Sequence, residues 1–478
     1  MKKVLLIFIF QLIFICFFKA QNPFDNAVKS FLSNKEMSTA TVGIQLQNQN
    51  GKDLFSYNSN KLLVPASTQK LFTSAFTLNT LPINFTFKTV VATKEIDSTS
   101  NSINGNLIVS TDGDPSLESR FFKSNSFLEN LQSALTKQNI KLIKGNILLY
   151  PKINDYQHNK QWLWSDIGNY YGAGFSTHTF MDNYVEVSFN SSLNIGDTTS
   201  IFKISPSEKS FSIKNNVLVG ISKKDLSFAF GAPYQNQRIM TGTIPANKNN
   251  YAVKVSMHNP KAFLFSAIEN ACLDLNIKIL NNNDNLEKLD TLLIHHSPSL
   301  TDLVKCVNFQ SNNNFAEHLL MKSASYKNQK NISFEDAPEI LENFWKEQLP
   351  SNDFVFMDGC GLSRLNLASP ASFNQLLTHQ LQSDNLKVFL ETLPVFGTSG
   401  TLKYMGDGTI VEGNFIGKSG SMTGVRCYSG YFKKNNEYYP FTIMINNFVS
   451  SDYLIRKHIE SLMAVSYTHL TLPTKRIV

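Results

Sequence analysis

Three short motifs place residues fit for acyl transfer in a fixed order: Ser67-Thr68-Gln69-Lys70, Ser311-Asn312-Asn313 and Lys418-Ser419-Gly420. They read S-x-x-K, S-x-N and K-[ST]-G. A serine hydroxyl is a poor nucleophile until a neighbouring base takes its proton. On a helix, positions i and i+3 share a face, so Lys70 can reach Ser67. Burial and nearby positive charge depress a lysine pKa far enough for it to act as that base. A serine near a helix N-terminus also has backbone N–H groups where an oxyanion would form.

The other two motifs supply what a nucleophile and base lack. Ser311 can relay a proton to the leaving amine, and the Asn313 amide can hold a substrate carbonyl or orient Lys70. Ser and Asn here equally suit a helix N-cap, and the two roles can coexist. Lys418 offers a positive charge for a substrate carboxylate, with the Ser419 hydroxyl beside it. Gly420 leaves room for substrate along a strand edge, and the Ser421 backbone N–H is a candidate second oxyanion donor. Taken singly, this last motif also reads as a basic strand end with a glycine bulge. Ser200-Ile201-Phe202-Lys203 is a second S-x-x-K, but it lies in an alternating segment where i and i+3 face opposite ways, so it is read as chance.

The elements that must position these residues are legible in outline. Val42, Ile44 and Leu46 lead into Asn50-Gly51, and Leu54, Phe55 and Tyr57 return, predicting a hairpin. Pro65 marks entry to a helix with Ser67 in its first turn, and Leu71, Phe72, Ala75, Phe76 and Leu78 form its apolar stripe. From about 85 to 254, short alternating strands separated by Asn, Ser and Gly predict an inserted β-rich block. Helical pattern returns at Ala262–Cys272 and Leu300–Ser323. Ser369-Pro370 opens another helix by N-cap and N1 proline. Strands close the chain on either side of an Asn435-Asn436 turn, and Lys418 falls where a strand should begin.

Composition limits what such a chain does. Its 478 residues are too many for one ordinary domain, and an apolar share of 42% provides for a large core. The formal charge of +7 owes much to Lys2, Lys3, Lys19, Lys475 and Arg476 at the two ends, so the body is near balance and nucleic acid is not an expected partner. Met1-Lys2-Lys3 and the apolar run from Val4 read as a signal peptide over residues 1–20, implying export to the periplasm. Four cysteines remain beyond it: Cys272, Cys306, Cys360 and Cys427. An oxidising compartment permits disulfides, but the spacing selects no pairing. Without C-x-x-C spacing no metal is expected, and His295-His296 would face opposite ways on a strand. Val465-Ser466-Tyr467-Thr468-His469-Leu470 resembles a translated sequencing adapter, so residues 465–478 are read as a non-native tail without helical stripe or strand alternation.

Taken together, the three motifs make the chain resemble the D-Ala-D-Ala carboxypeptidase/endopeptidase family, the class C low-molecular-mass penicillin-binding proteins. Gly113-Asp114-Pro115-Ser116-Leu117, Asp358-Gly359-Cys360-Gly361-Leu362-Ser363-Arg364, Leu393-Pro394-Val395-Phe396-Gly397 with Gly400-Thr401-Leu402, and Thr423-Gly424-Val425 add to it. The likeness runs from about 30 to 460, and the long stretch between Ser67 and Ser311 is part of it. The family's usual Ser-Asp-Asn is here Ser311-Asn312-Asn313, its Lys-Thr-Gly is Lys418-Ser419-Gly420, and Cys360 stands in place of a serine. The resemblance implies an α/β penicillin-recognising serine transpeptidase/β-lactamase-like domain, an antiparallel sheet with helices, built from 21–85 and 262–464. Residues 86–261 would form the β-rich insertion. It implies a serine D-Ala-D-Ala carboxypeptidase/endopeptidase that acylates Ser67, needs no cofactor, and meets peptidoglycan peptides and β-lactams, with peripheral association with membrane or cell wall. Trp164-Ser165-Asp166 resembles an inserted segment whose Asp binds the stem-peptide amine. A β-lactamase or esterase on the same fold, and a catalytically silent cell-wall-binding protein, remain the alternatives.

Overall fold

The expected N-terminal hairpin forms as antiparallel strands Thr41–Gln47 and Asp53–Tyr57 in a computed structural model that describes residues 23–152, 155–282 and 289–470. The expected leader, 1–20, lies outside the described residues. Gly51 turns the hairpin at φ +76°, where an L side chain would be strained. The described chain packs as two compact units. One runs up to Thr68 and takes in Ala368–Gln382 and everything from Pro394; the other holds Gln69–Leu367 with Ser383–Leu393.

In the first unit, five strands form one antiparallel sheet. Their order is Asp53–Tyr57, Thr41–Gln47, Glu437–Asn446, Val425–Lys434, Phe415–Met422. Asn435 and Asn436, both at positive φ, make the two-residue turn that fixes the register of the last hairpin. One face carries Ile44, Leu46, Phe432, Phe441 and Ile443 against Ile455, Ile459, Leu462 and Met463 of the C-terminal helix Asp452–His469. The opposite face is closed by helix Pro370–Leu381, which is why Gly43 can carry no side chain: a Cβ there would stand 2.8 Å from Pro370 Cγ. Ser369 caps that helix as expected, its hydroxyl accepting from the Ser372 amide at 3.0 Å.

Two readings change in this unit. Lys418 sits in mid-strand rather than at a strand start, since the strand runs Phe415–Met422. Residues 465–469 complete the C-terminal helix, and Tyr467 is buried against Phe432 with its hydroxyl donating to Lys433 O at 3.2 Å. The apolar stripe they continue, from Ile455 through Ile459, Leu462 and Met463, shows only when the helix is read as one piece.

The second unit contains the whole of 86–261, built of small sheets around one core. Lys88–Thr93, Leu107–Ser110, Ile147–Tyr150 and Asp290–His296 make one four-stranded sheet; Tyr184–Ser191, Ser200–Ser205 and Lys248–Ser256 make a separate three-stranded one. Helix Phe127–Lys137, missed in the β-rich reading, fits the block because Phe127, Leu131 and Leu135 point inward together. The single helical run expected over Leu300–Ser323 is two helices, Leu300–Phe309 and Asn313–Asn328. Ser311, at φ +54°, breaks them apart. Cys272, Cys306, Cys360 and Cys427 are all buried free thiols.

Candidate active site

Ser67 lies in a tighter turn than expected, and Lys70 opens the helix that follows it. Ala66–Gln69 is a 3-10 turn leading directly into the α-helix Lys70–Thr80. Ala66 enters this turn at φ +47°. The other S-x-x-K lies on strand Ser200–Ser205, with Ser200 and Lys203 both exposed.

Lys70 is wholly buried, and its Nζ donates to Asn313 Oδ1 at 2.7 Å and to the Cys360 carbonyl at 2.6 Å. Burial pushes its pKa below the ordinary lysine value, against the opposing pull of Cys360, Asp358 and Glu317. Both of these acceptors are neutral, so they hold the amine without demanding its proton. The helix passes on to Trp345, which donates its indole N–H to Phe72 O at 3.1 Å and stacks edge-on against the Phe72 ring.

The S-x-N motif divides its labour. Asn312 is the N-cap, its side chain accepting from the Phe315 amide at 3.1 Å. That leaves Asn313 to receive Lys70, while its amide nitrogen donates to Tyr171 O at 2.7 Å. The Tyr171 hydroxyl then reaches Asp166 Oδ1 at 3.4 Å, so a short chain of contacts joins Asp166 to Asn313. Asp166 is half-buried, and burial raises its carboxyl above the usual range while Tyr171 and Arg364 oppose the rise. Ser311 is half-buried at the break between helices.

Beneath Lys70 lies a cluster that sequence reasoning left out. Asp358, fully buried, accepts from Trp162 Nε1 at 2.8 Å, from the Gly361 and Ser363 amides at 2.7 and 2.6 Å, and from Asn366 Nδ2 at 2.9 Å. These bonds fold the Asp358–Arg364 motif into a tight loop that presents the Cys360 carbonyl to Lys70. Cys360, which stands in place of the family's serine, is buried, and burial pushes its thiol well up. Glu317, Asp358 and Cys360 bring one ligand atom each within 4.8 Å of one another. The signal for Glu317 was a carboxylate in the helix stretch Phe315–Leu320, whose other residues apart from His318 are apolar.

In the first unit, the strand of the third motif runs against the turn of the first. A Cβ on Gly420 would stand 2.5 Å from Pro65 O, 2.9 Å from Thr68 N and 3.2 Å from Ser67 N. Lys418 is fully buried, with Nζ donating to Ser419 O at 2.8 Å, and the Ser419 hydroxyl meets Thr401 Oγ1 at 2.8 Å. Ser421 follows, exposed on the same strand. His295 and His296 alternate as expected, His295 buried and held by Asn130, His296 exposed and held by Thr86.

The profile of the D-Ala-D-Ala carboxypeptidase 3 (S13) family matches residues 24–469. The chain is 25% identical over 450 residues to the D-alanyl-D-alanine carboxypeptidase DacB of Haemophilus influenzae, covering 90% of each. It is 24% identical over 444 residues to a D-alanyl-D-alanine carboxypeptidase of Actinomadura, covering 88% of this chain and 80% of that one. The crystal structure of penicillin binding protein 4 from Haemophilus influenzae superposes with a TM-score of 0.77 at 23% identity, covering 93% of this chain and 99% of the other. That likeness establishes the fold.

Proposed function

The chain belongs to the D-Ala-D-Ala carboxypeptidase 3 (S13) family, and from that premise we propose that Ser67 is the nucleophile of its acyl transfer. The protein is a penicillin-binding serine D-Ala-D-Ala carboxypeptidase acting on peptidoglycan. Lys70 takes the proton from Ser67 Oγ as the oxygen attacks the carbonyl carbon of the penultimate D-Ala. The oxyanion is received by the backbone N–H groups of Ser67 and Ser421. The peptide C–N bond then breaks, and Ser311 relays the proton held by Lys70 to the departing amine, which leaves the lysine neutral again. Water, deprotonated by the same lysine, hydrolyses the ester. Asn313 keeps Lys70 in place, Lys418 and Ser419 meet the terminal carboxylate across the bare backbone of Gly420, and Asp166 takes the stem-peptide amine. Residues 86–261 serve as an insertion that adds contacts to the stem, with D-Ala cross-links as further substrates. The enzyme works after export to the periplasm, in peripheral association with membrane or wall.

The observation that carries this reading is Lys70, a fully buried lysine held at 2.7 and 2.6 Å by two neutral oxygens and three residues from a serine. Ser67→Ala should abolish covalent labelling by a fluorescent penicillin, while Ser200→Ala keeps it. Mass analysis of cross-linked and uncross-linked muropeptides should show loss of D-Ala with the wild type and none with Ser67→Ala. Labelling that survives Ser67→Ala would remove the assignment.

A further inference from the structure

Glu317 has no part in the steps above, yet it is almost fully buried in helix Asn313–Asn328, one turn on from the residue that holds Lys70. Its Oε1 accepts the Gly359 amide at 2.9 Å, and the Cys360 thiol donates to the same carboxyl. Gly359 and Cys360 are also the residues whose carbonyls grip the nucleophile helix: Gly359 O accepts from Thr73 Oγ1 at 2.6 Å, and Cys360 O accepts from Lys70 Nζ at 2.6 Å. Gly359 itself is confined, since a Cβ there would meet Leu320 Cδ2 at 2.9 Å. The loop therefore has its backbone N–H side on Glu317 and its carbonyl side on Lys70 and Thr73.

We propose that Glu317 is a positioning residue of the acyl-transfer site, fixing the Gly359–Cys360 backbone that receives Lys70 and setting, through its charge, how tightly Lys70 keeps its proton. This rests on the assignment of Ser67 and Lys70 made above. The ionisable groups that face Glu317 are Lys70 on the nucleophile helix and Asp358 and Cys360 on the loop. His318, next along its own helix, turns instead to Asn314 O, Ser176 O and Thr179. Burial and the Asp358 carboxylate push the Glu317 carboxyl up to about 8, so it ionises within the pH range of the assay, and its charge there opposes loss of the Lys70 proton. Any negative charge on Glu317 raises the proton affinity of Lys70, and a neutral amide in its place removes that effect.

Glu317→Gln and Glu317→Ala test this by the second-order rate of acylation with a fluorescent penicillin from pH 5 to 10, with thermal melting beside it. Glu317→Gln keeps an oxygen for the Gly359 amide. It should keep the plateau rate within about threefold while the acid-side midpoint moves to lower pH. Glu317→Ala frees the loop, and its plateau should fall at least about tenfold, because small displacements of a catalytic group are costly. A Glu317→Gln profile that overlays the wild type, or a Glu317→Ala plateau equal to it, overturns the proposal. Ser67→Ala distinguishes the two levels: persistent labelling there defeats the site assignment, whereas loss of labelling with unchanged Glu317 variants defeats only this inference.

Discussion

Adding one methyl group at Gly420 should disable the enzyme without unfolding it. The strand Phe415–Met422 passes the turn that carries Ser67 so closely that a Cβ on Gly420 would lie 2.5 Å from Pro65 O and 3.2 Å from Ser67 N. Ordinary contact begins near 3.4 Å, so the two backbones must part by about 0.9 Å. Both neighbours are main chain, and no rotamer can absorb the displacement. Overpacking of this kind costs about 1–3 kcal/mol, which a unit with a full core survives. The chemistry is less tolerant, since a shift of about 1 Å in a reacting group can cost on the order of 10²-fold in rate. Gly420→Ala should therefore acylate with a fluorescent penicillin about 10²-fold more slowly, while its melting temperature falls by only a few degrees. Stopped-flow labelling and a thermal melt measure the two effects on the same preparation. A rate within threefold of wild type would show that the close approach of strand and turn does not matter to the reaction.

Two further outcomes follow from particular contacts. Lys70→Ala should slow acylation by about 10²–10⁴. With the neutral amine as the proposed base, the rate should be lost as pH falls through a pKa that burial has depressed. A midpoint at or above the free-lysine value of about 10.4 in a pH–rate profile would exclude that role. Truncation after Leu470 should leave the melting temperature unchanged, but truncation before Val465 removes the buried Tyr467 ring, a loss of about 3–5 kcal/mol by analogy with other large aromatics, and should lower it by several degrees. Equal melting temperatures for the two truncations would make the last helical turn dispensable.

What could be read from the chain alone was what depends on near neighbours. The helix entry after Pro65, the Ser369 cap and the Asn435-Asn436 turn are each set by residues within three or four positions. The break at Ser311 was not legible, because Leu300–Ser323 has a helical stripe throughout and only a left-handed serine divides it. Helix Phe127–Lys137 was lost in its surroundings, although Ser126 caps it and Phe127, Leu131 and Leu135 repeat every four residues. The cluster under Lys70 was missed for a different reason. Its members come from Trp162, Glu317 and the 358–366 loop, and only folding makes them neighbours. Asp166 came from family resemblance alone, and its contact with Tyr171 gives it a structural link to Asn313 that no local pattern contains.

Two of the residues at positive φ stand beside the first two motifs. Ala66 at φ +47° immediately precedes Ser67, and Ser311 at φ +54° stands two residues before Asn313. A side chain in the left-handed region costs on the order of 1–3 kcal/mol and persists only where its surroundings leave no alternative. Those surroundings are visible. On one side of the nucleophile turn, Thr68 Oγ1 donates to Pro65 O at 2.6 Å and the Gly420 strand leaves no space to relax. At the S-x-N break, the Asn312 cap and the two bonds of Asn313 fix the start of the following helix. Burying Lys70 adds a further cost, the desolvation of an amine that water would otherwise keep charged. Each of these costs lowers the stability of the fold, and each holds a group in the state or direction that the proposed acyl transfer requires. Relaxed geometry would give a more stable protein with a solvated, protonated lysine, and such a lysine could not take the serine proton.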